Sequence, residues 1–326
     1  MPIIEVKDLT KIFKDKNKEL TAVDHVSFEI NEGEVFGLLG PNGAGKTTTI
    51  SMLATLQKPS SGTATVNGYD IVKQPANVRK SIGIVFQEPS SDDLLTGYEN
   101  LKLHALLYGV PGSEVQKRIE EALRLVDLYD RKDEIVKKYS GGMRRRLEIA
   151  RGLMHTPKVL FLDEPTLGLD PQTREHMWHY IERLVAEKKI TIILTTHYMD
   201  EADRLCNRIA IVDKGKIVVM DEPKKLKQGL GGSVISLKMK QPSIEPFRKL
   251  KYVDEARIAD STVFLTVKDA NNHLQEILKL AGDVESVELH SPTLNDVFLH
   301  YAGREFREDS PEGGFFERMA AARNRR

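Results

Sequence analysis

Gly40-Pro41-Asn42-Gly43-Ala44-Gly45-Lys46-Thr47 follows the apolar run Val35–Leu39 and opens a helical pattern at Thr48–Leu56. The octet fits G-x-x-x-x-G-K-[ST] in the strand, loop and helix setting that this motif requires. Its glycines let the backbone curl so that successive N–H groups aim at phosphate oxygens, and the helix behind adds its positive end. Lys46 is suited to hold β- and γ-phosphates, and Thr47 to offer its hydroxyl to Mg²⁺. Gly40, Pro41, Asn42, Gly43, Ala44, Gly45, Lys46, Thr47 and the following Thr48 are therefore the expected nucleotide contacts.

Working outward, Val159–Leu162 is a buried-type strand that ends in Asp163-Glu164. Two adjacent carboxylates at that point do nothing for strand stability. Asp163 is expected on the metal and Glu164 on an attacking water, because phosphoryl transfer to water needs mainly positioning and charge neutralisation.

Val35–Leu39, Ile82–Phe86, Val159–Leu162, Thr191–Thr195 and Ile209–Val212 read as strands covered on both faces, the mark of a largely parallel sheet. Ile3–Leu9, Val23–Ile30 and Thr63–Asn67 alternate instead, which predicts a smaller antiparallel sheet. Helical spacing between Thr96 and Leu153 predicts about three helices inserted between core strands.

After Pro223 the pattern changes, through Lys224–Lys227 and Gly229–Ser233, to strand Val234–Met239, helix Ile244–Leu250, strands Val253–Ile258 and Thr262–Val267, helix Asn271–Ala281, strand Val284–Leu289 and helix Leu294–Tyr301. That is the split βαβ order of ferredoxin-like domains. The expected division is a nucleotide-binding domain at 1–222 with a helical subdomain at about 90–155, a linker at 223–232, an accessory domain at 233–303 and a polar tail at 304–326.

With 326 residues, 40% hydrophobic and 29% charged, the chain has an ordinary globular composition. Its 48 basic and 48 acidic side chains cancel, which argues against a global field for nucleic acid. Apolar runs such as Val159–Leu162 and Ile217–Met220 stop far short of the ~20 residues that span a bilayer. The opening residues lack a signal-peptide pattern, and the lone Cys206 suits a reducing compartment.

Tyr139-Ser140-Gly141-Gly142-Met143 precedes a basic amphipathic helix at Arg144–Leu153. Together with the motifs above, it makes the chain resemble an ATP-binding cassette (ABC) ATPase over about residues 3–222. The family signature is usually Leu-Ser-Gly-Gly-Gln. Tyr139 and Met143 replace its outer residues, while Ser140, Gly141 and Gly142 keep the hydroxyl and the N–H groups at a helix start.

The resemblance implies an α/β fold with a mixed RecA-like core sheet, an antiparallel subdomain and a helical subdomain, followed by the small ferredoxin-like domain. It implies ATP hydrolysis and further roles. Gln87 would sense the metal and the attacking water and face a membrane partner, Asp170 in Gly168-Leu169-Asp170 would communicate across a dimer interface, His197 would contact the γ-phosphate, and Phe13 would stack on adenine. Thr47, Gln87 and Asp163 are then the implied metal ligands. The family sandwiches each nucleotide between one chain's phosphate loop and another's Ser-Gly-Gly. One of each here implies a head-to-tail homodimer closed by ATP and released by hydrolysis.

Residues 139–147, 195–203 and 294–305 are similar to the ATPase subunits of daunorubicin-resistance-type multidrug exporters. That likeness implies a separate integral-membrane permease, export of a drug, lipid or glycolipid, and a peripheral place on the cytoplasmic face of the cell membrane. A soluble ATP-gated clamp and an importer ATPase are the alternatives. Arg144–Arg146 suits a nucleotide, anionic lipid or a solvated helix face paired with Glu148, and Arg318–Arg326 suits lipid headgroups or a mobile end.

Overall fold

The computed structural model describes residues 2–15 and 18–303. The tail expected at 304–326 lies outside the described residues. The chain divides into two compact units with the boundary between Ile217 and Val218.

In the first unit, β1 (Ile4–Asp15) and β2 (Lys18–Ile30) form a long antiparallel ribbon. Register shifts near Asp8 and His25, both at positive φ, interrupt its alternation. A bulge adds one residue and flips the pattern, which is why the sequence alternation stops at Leu9 while the strand runs on. β3 (Val35–Leu39) then enters the core sheet and is followed by α1 (Lys46–Leu53). β4 (Ser61–Val66) and the short β5 (Tyr69–Asp70) complete the antiparallel sheet in the order β2-β1-β4-β5.

α2 (Pro75–Ser81) leads to β6 (Ile82–Val85). Three helices follow: α3 (Gly97–Leu107), α4 (Gly112–Leu125) and α5 (Gly141–Leu153). The chain returns to the core through β7 (Val159–Asp163), α6 (Pro171–Lys188), β8 (Thr191–Thr196), α7 (Met199–Leu205), β9 (Arg208–Asp213) and β10 (Lys216–Asp221). The core sheet has the order β10-β9-β3-β8-β7-β6, with β9, β3, β8, β7 and β6 parallel.

Every residue of β3, β7 and β8 is buried, so their sequences are continuous apolar runs broken only by threonines, Gly37 and the terminal Asp163. The register decides where the site forms. Leu39 lies beside Thr196, and Thr195 beside Asp163. The turns after β3, β7 and β8 therefore leave the same edge of the sheet, the carboxyl edge where open α/β sheets bind ligands.

The second unit takes in the end of β10 from Val218 and contains α8 (Pro223–Gly229), β11 (Ser233–Lys238), β12 (Val253–Ala259), β13 (Thr262–Val267), α9 (Ala270–Ala281), β14 (Ser286–His290) and α10 (Leu294–Ala302). Its antiparallel sheet has the order β12-β13-β11-β14. Two segments differ from expectation. Residues 223–229 form a helix where a linker was expected, because Leu226 and Leu230 are spaced four apart and both are buried. Ile244–Leu250 forms turns instead of a helix: Pro246 lacks an N–H and disfavours helical geometry at Glu245. Phe247 N bonds to Ile244 O at 3.0 Å and Leu250 N to Phe247 O at 3.1 Å, and the Phe247 ring still fills the core.

Candidate active site

The phosphate loop is held open by close backbone approaches that only glycine permits. Gly45 has φ +105°, and a Cβ there would meet Ala22 O of β2 at 2.3 Å; a Cβ at Gly40 would meet Val212 O at 2.2 Å. Ala44 N bonds to Pro41 O at 3.2 Å, and Gly215 N, in the β9–β10 turn, bonds to Ala44 O at 2.9 Å. Asn42 and Gly43 form the exposed crown of the loop, while Ala44, Gly45 and Lys46 are buried. Thr49, one residue past Thr48, returns its hydroxyl to Gly45 O at 2.9 Å and fixes the first turn of α1.

Lys46 Nζ donates to Gly40 O at 2.6 Å and Pro41 O at 3.1 Å and stands 3.7 Å from Glu164 Oε1. Burial pushes its pKa down, against the pull of Glu164 and Asp163. Thr47 Oγ1 donates to Asp163 Oδ1 at 3.0 Å, and Thr195 Oγ1 donates to the same oxygen at 2.5 Å. Burial raises the pKa of Asp163 against those two hydroxyls, and the neighbouring Glu164 charge raises it further.

Glu164, at φ +49°, turns sharply out of β7, and its N–H bonds to Thr195 Oγ1 at 3.0 Å and to Thr195 O at 3.2 Å. His197 Nδ1 lies 3.3 Å from Glu164 Oε2, a close approach that is not aligned as a hydrogen bond. Burial pushes the Glu164 pKa up, but His197 and Lys46 outweigh it and hold the carboxyl below its ordinary value. The side chains of Lys46, Thr47, Asp163, Glu164 and His197 thus converge, all buried except the half-buried Thr47. The paired oxygens of Thr47 and Asp163 are hard donors and suit Mg²⁺.

Ser140, Gly141, Gly142 and Asp170 belong to a second cluster. Ser140 caps α5, its Oγ accepting from Met143 N at 3.3 Å, and a Cβ at Gly142 would meet Thr173 of α6 at 2.4 Å. Asp170 caps α6 and accepts from Thr173 N at 3.0 Å and Thr173 Oγ1 at 2.6 Å, bonds that hold its carboxyl below the usual range. Phe13 stands on β1 in the other sheet, half-buried, with Lys11 Nζ 5.2 Å from its ring centre. Gln87 follows β6, and its carbonyl accepts from Arg145 Nη1 at 3.3 Å.

The basic cluster Arg144–Arg146 is not a solvated face. Arg144 pairs with Asp93, and Arg146 Nη1 donates to Val126 O at 3.1 Å and Tyr180 OH at 2.9 Å. Arg145 is buried, and burial pushes its pKa down to about 10. Glu148 accepts from Ser91 N at 2.8 Å and Ser90 Oγ at 3.0 Å and pairs with Arg151 at 2.8 Å, and its charge also favours the charged form of Arg145. Sequence reasoning also missed Thr195, the hub between Asp163 and Glu164. Only the pairing of β7 with β8 reveals it.

A strand-to-helix phosphate loop beside a strand ending in two acids, with a Ser-Gly-Gly helix start on another element, defines an ATP-hydrolysing cassette. Residues 23–167 match the family model described as ABC transporter, and residues 222–302 match "ATP-binding protein DrrA1-3-like, C-terminal domain". The chain belongs to the ABC transporter family and is an ATPase. It is 42% identical to the daunorubicin resistance ATP-binding protein DrrA2 of Streptomyces coeruleorubidus over 87% of this chain and 91% of that one. It is 38% identical to the daunorubicin/doxorubicin resistance ATP-binding protein DrrA of Streptomyces peucetius over 98% of each. Its fold is similar to a solved ATP-binding cassette in a dimeric, post-hydrolysis state bound to ADP and Pi, with TM-score 0.61 and 28% identity over 67% of this chain and 98% of that one.

Proposed function

We propose that the chain is the ATP-hydrolysing subunit of a split exporter, working as a head-to-tail homodimer on a separate membrane permease that moves a drug, lipid or glycolipid. The observation that carries this reading is the separation of the chemistry into two clusters. Lys46, Thr47, Asp163, Glu164 and His197 converge, while Gly142 of the Ser-Gly-Gly turn packs on Thr173 of α6. A second copy, related by a two-fold axis, would bring its Ser-Gly-Gly to this loop and complete the site.

The chemistry assigned to the chain is ATP plus water giving ADP and phosphate. Lys46 and the loop N–H groups bind the β- and γ-phosphates, Phe13 stacks on adenine, and His197 donates to the γ-phosphate. Glu164 accepts a hydrogen bond from the attacking water and aligns it with the terminal phosphorus as the bond to the β–γ bridging oxygen breaks. Thr47, Asp163 and Gln87 would hold Mg²⁺, whose charge neutralises the phosphate oxygens.

Two features support a membrane partner. Among the described residues, no helix is long and apolar enough to cross a membrane, so these residues supply no helical pore of their own. α3 leaves Leu103, Leu106 and Leu107 exposed, the last at 74%, with Leu94 at 77% in the loop before it. We assign that face to the permease, which would keep the chain at the cytoplasmic side of the membrane. The relatives named for daunorubicin or doxorubicin resistance favour export. The test is to express tagged Glu164→Gln, solubilise membranes with MgATP and identify what co-purifies. A multi-spanning membrane protein supports the reading. An empty membrane fraction with soluble or nucleic-acid partners replaces it with an ATP-gated clamp.

A further inference from the structure

Arg145 is an enclosed cation that makes its hydrogen bonds to no carboxylate. The side chain, on the second turn of α5, is 6% exposed. Its Nε donates to Pro165 O at 2.8 Å, its Nη2 to Asp163 O and Glu164 O at 2.8 Å each, and its Nη1 to Phe86 O and to Gln87 O at 3.3 Å. All five acceptors are backbone carbonyls. They come from two segments, the turn after β6 that carries Gln87 and the end of β7 that carries Asp163 and Glu164.

A guanidinium is a poor choice for structural filling, since apolar side chains often serve a core as well or better than buried charge. Its planar fork offers instead several donors at fixed angles, which a lysine or an apolar residue cannot reproduce. Here the fork ties the ends of β6 and β7, neighbours in the sheet, just beyond their last ladder pair Val85–Leu162. α3, α4 and α5 lie between them in sequence. The helix that carries the fork begins at Ser140, so the contact runs from the Ser-Gly-Gly end of α5 to the catalytic edge of the sheet.

We infer that Arg145 is a positioning residue that sets Glu164 and Gln87 relative to the start of α5, so that a shift of α5 at Ser140–Gly142 is delivered to the carboxylate that aligns the water. This rests on the roles proposed above for Glu164 and Gln87. Arg145 touches neither nucleotide nor water. It acts by holding the carbonyls of the residues that do.

The test uses full-length Arg145→Gln, Arg145→Lys, Glu164→Gln and the double variant Arg145→Gln/Glu164→Gln. ATP turnover is divided by the number of sites counted through stoichiometric binding of a fluorescent ATP analogue, so that misfolded protein drops out. Arg145→Gln should keep wild-type ATP affinity and lose turnover per site by roughly 10- to 100-fold, the scale expected when a reacting group is displaced by a fraction of an ångström to an ångström. Arg145→Lys should recover part of the loss, because an ammonium still reaches some of the carbonyls. In the Glu164→Gln background, Arg145→Gln should reduce the residual turnover by much less than in the wild-type background, since the part that acts through Glu164 is already lost.

Wild-type turnover per site in the Arg145 variants, affinity falling in step with turnover, or an undiminished effect in the Glu164→Gln background would each overturn the inference. If Arg145→Gln does not fold, Arg145→Lys decides by the same split between affinity and turnover. Wild-type turnover in Glu164→Gln alone would overturn the assignment of Glu164, and the inference with it.

Discussion

Glu164 Oε1 lies 3.7 Å from Lys46 Nζ, and both side chains are buried. The residue expected to hold phosphate and the residue expected to align water are thus electrostatic partners, and their removal should separate binding from turnover. Lys46→Ala loses a charge-assisted contact to phosphate of about 1.5–3 kcal/mol, which corresponds to ATP binding weakened by about 10- to 100-fold. Glu164→Gln keeps the shape and the ATP affinity and should lower kcat by about 10²- to 10⁴-fold. Equilibrium binding and steady-state hydrolysis on the two variants check the split. Equal loss of affinity in both would remove the distinction between their roles.

The loop glycines are unequal, and their unequal surroundings set an order. Gly43 has φ +79° with open space around the Cβ direction, so alanine there meets only the left-handed backbone strain of about 1–2 kcal/mol. Gly45 has φ +105°, and a Cβ added to it would stand 2.3 Å from the Ala22 carbonyl oxygen, so alanine must displace β2 or the loop. Gly45→Ala should abolish ATP binding and lower Tm, while Gly43→Ala should bind ATP with reduced affinity. Isothermal calorimetry of both variants decides, and equal behaviour would refute the steric argument.

Asp163 carries an electrostatic cost in the fold. Burial and the Glu164 charge raise its pKa above the ordinary 3.8, so at neutral pH the fold carries a carboxylate that it would hold more easily protonated. The cost is therefore present above the folded-state pKa and disappears as pH falls through it. Asp163→Asn removes the charge and can still accept from Thr47 and Thr195 through its side-chain carbonyl. In EDTA and without nucleotide, the variant should melt above wild type by about 2–4 °C at neutral pH, with the gap closing toward acid. Its ATPase activity should be lost. A lower melting temperature at neutral pH would mean that the carboxylate is stabilising.

The core strands and the phosphate loop were legible because each depends on local pattern. Val35–Leu39 and Val159–Leu162 are buried on both faces, and the loop needs glycine at fixed places. What stayed hidden depends on pairing. Thr195 bridges Asp163 and Glu164 only because β8 lies in register beside β7, and no spacing along the chain announces it. Arg145 reads as one of three surface arginines until α5 is docked, when its neighbours turn to Asp93 and Tyr180 while it alone is enclosed. In the second unit, apolar spacing at Ile244, Phe247 and Leu250 predicts a helix, but the same spacing serves consecutive turns, and Pro246 decides between them.

Those turns place Phe247 in the core formed by Ile235, Leu237, Val263, Leu265 and Ile277. The ring is fully buried, and Phe247→Ala should cost about 3–5 kcal/mol, partly from lost transfer energy and partly from the cavity left behind. This core lies in the second unit, apart from the residues of the phosphate loop. Differential scanning calorimetry of the wild-type chain should resolve two transitions, and Phe247→Ala should lower one of them by more than about 10 °C, given how steeply Tm responds to stability in a small domain. The other transition, identified by its upward shift on adding MgATP, should stay in place because ligand binding reports only the unit that binds. A joint downward shift of both transitions would mean that the two units unfold as one, and Phe247 would then support the ATPase as well as its own sheet.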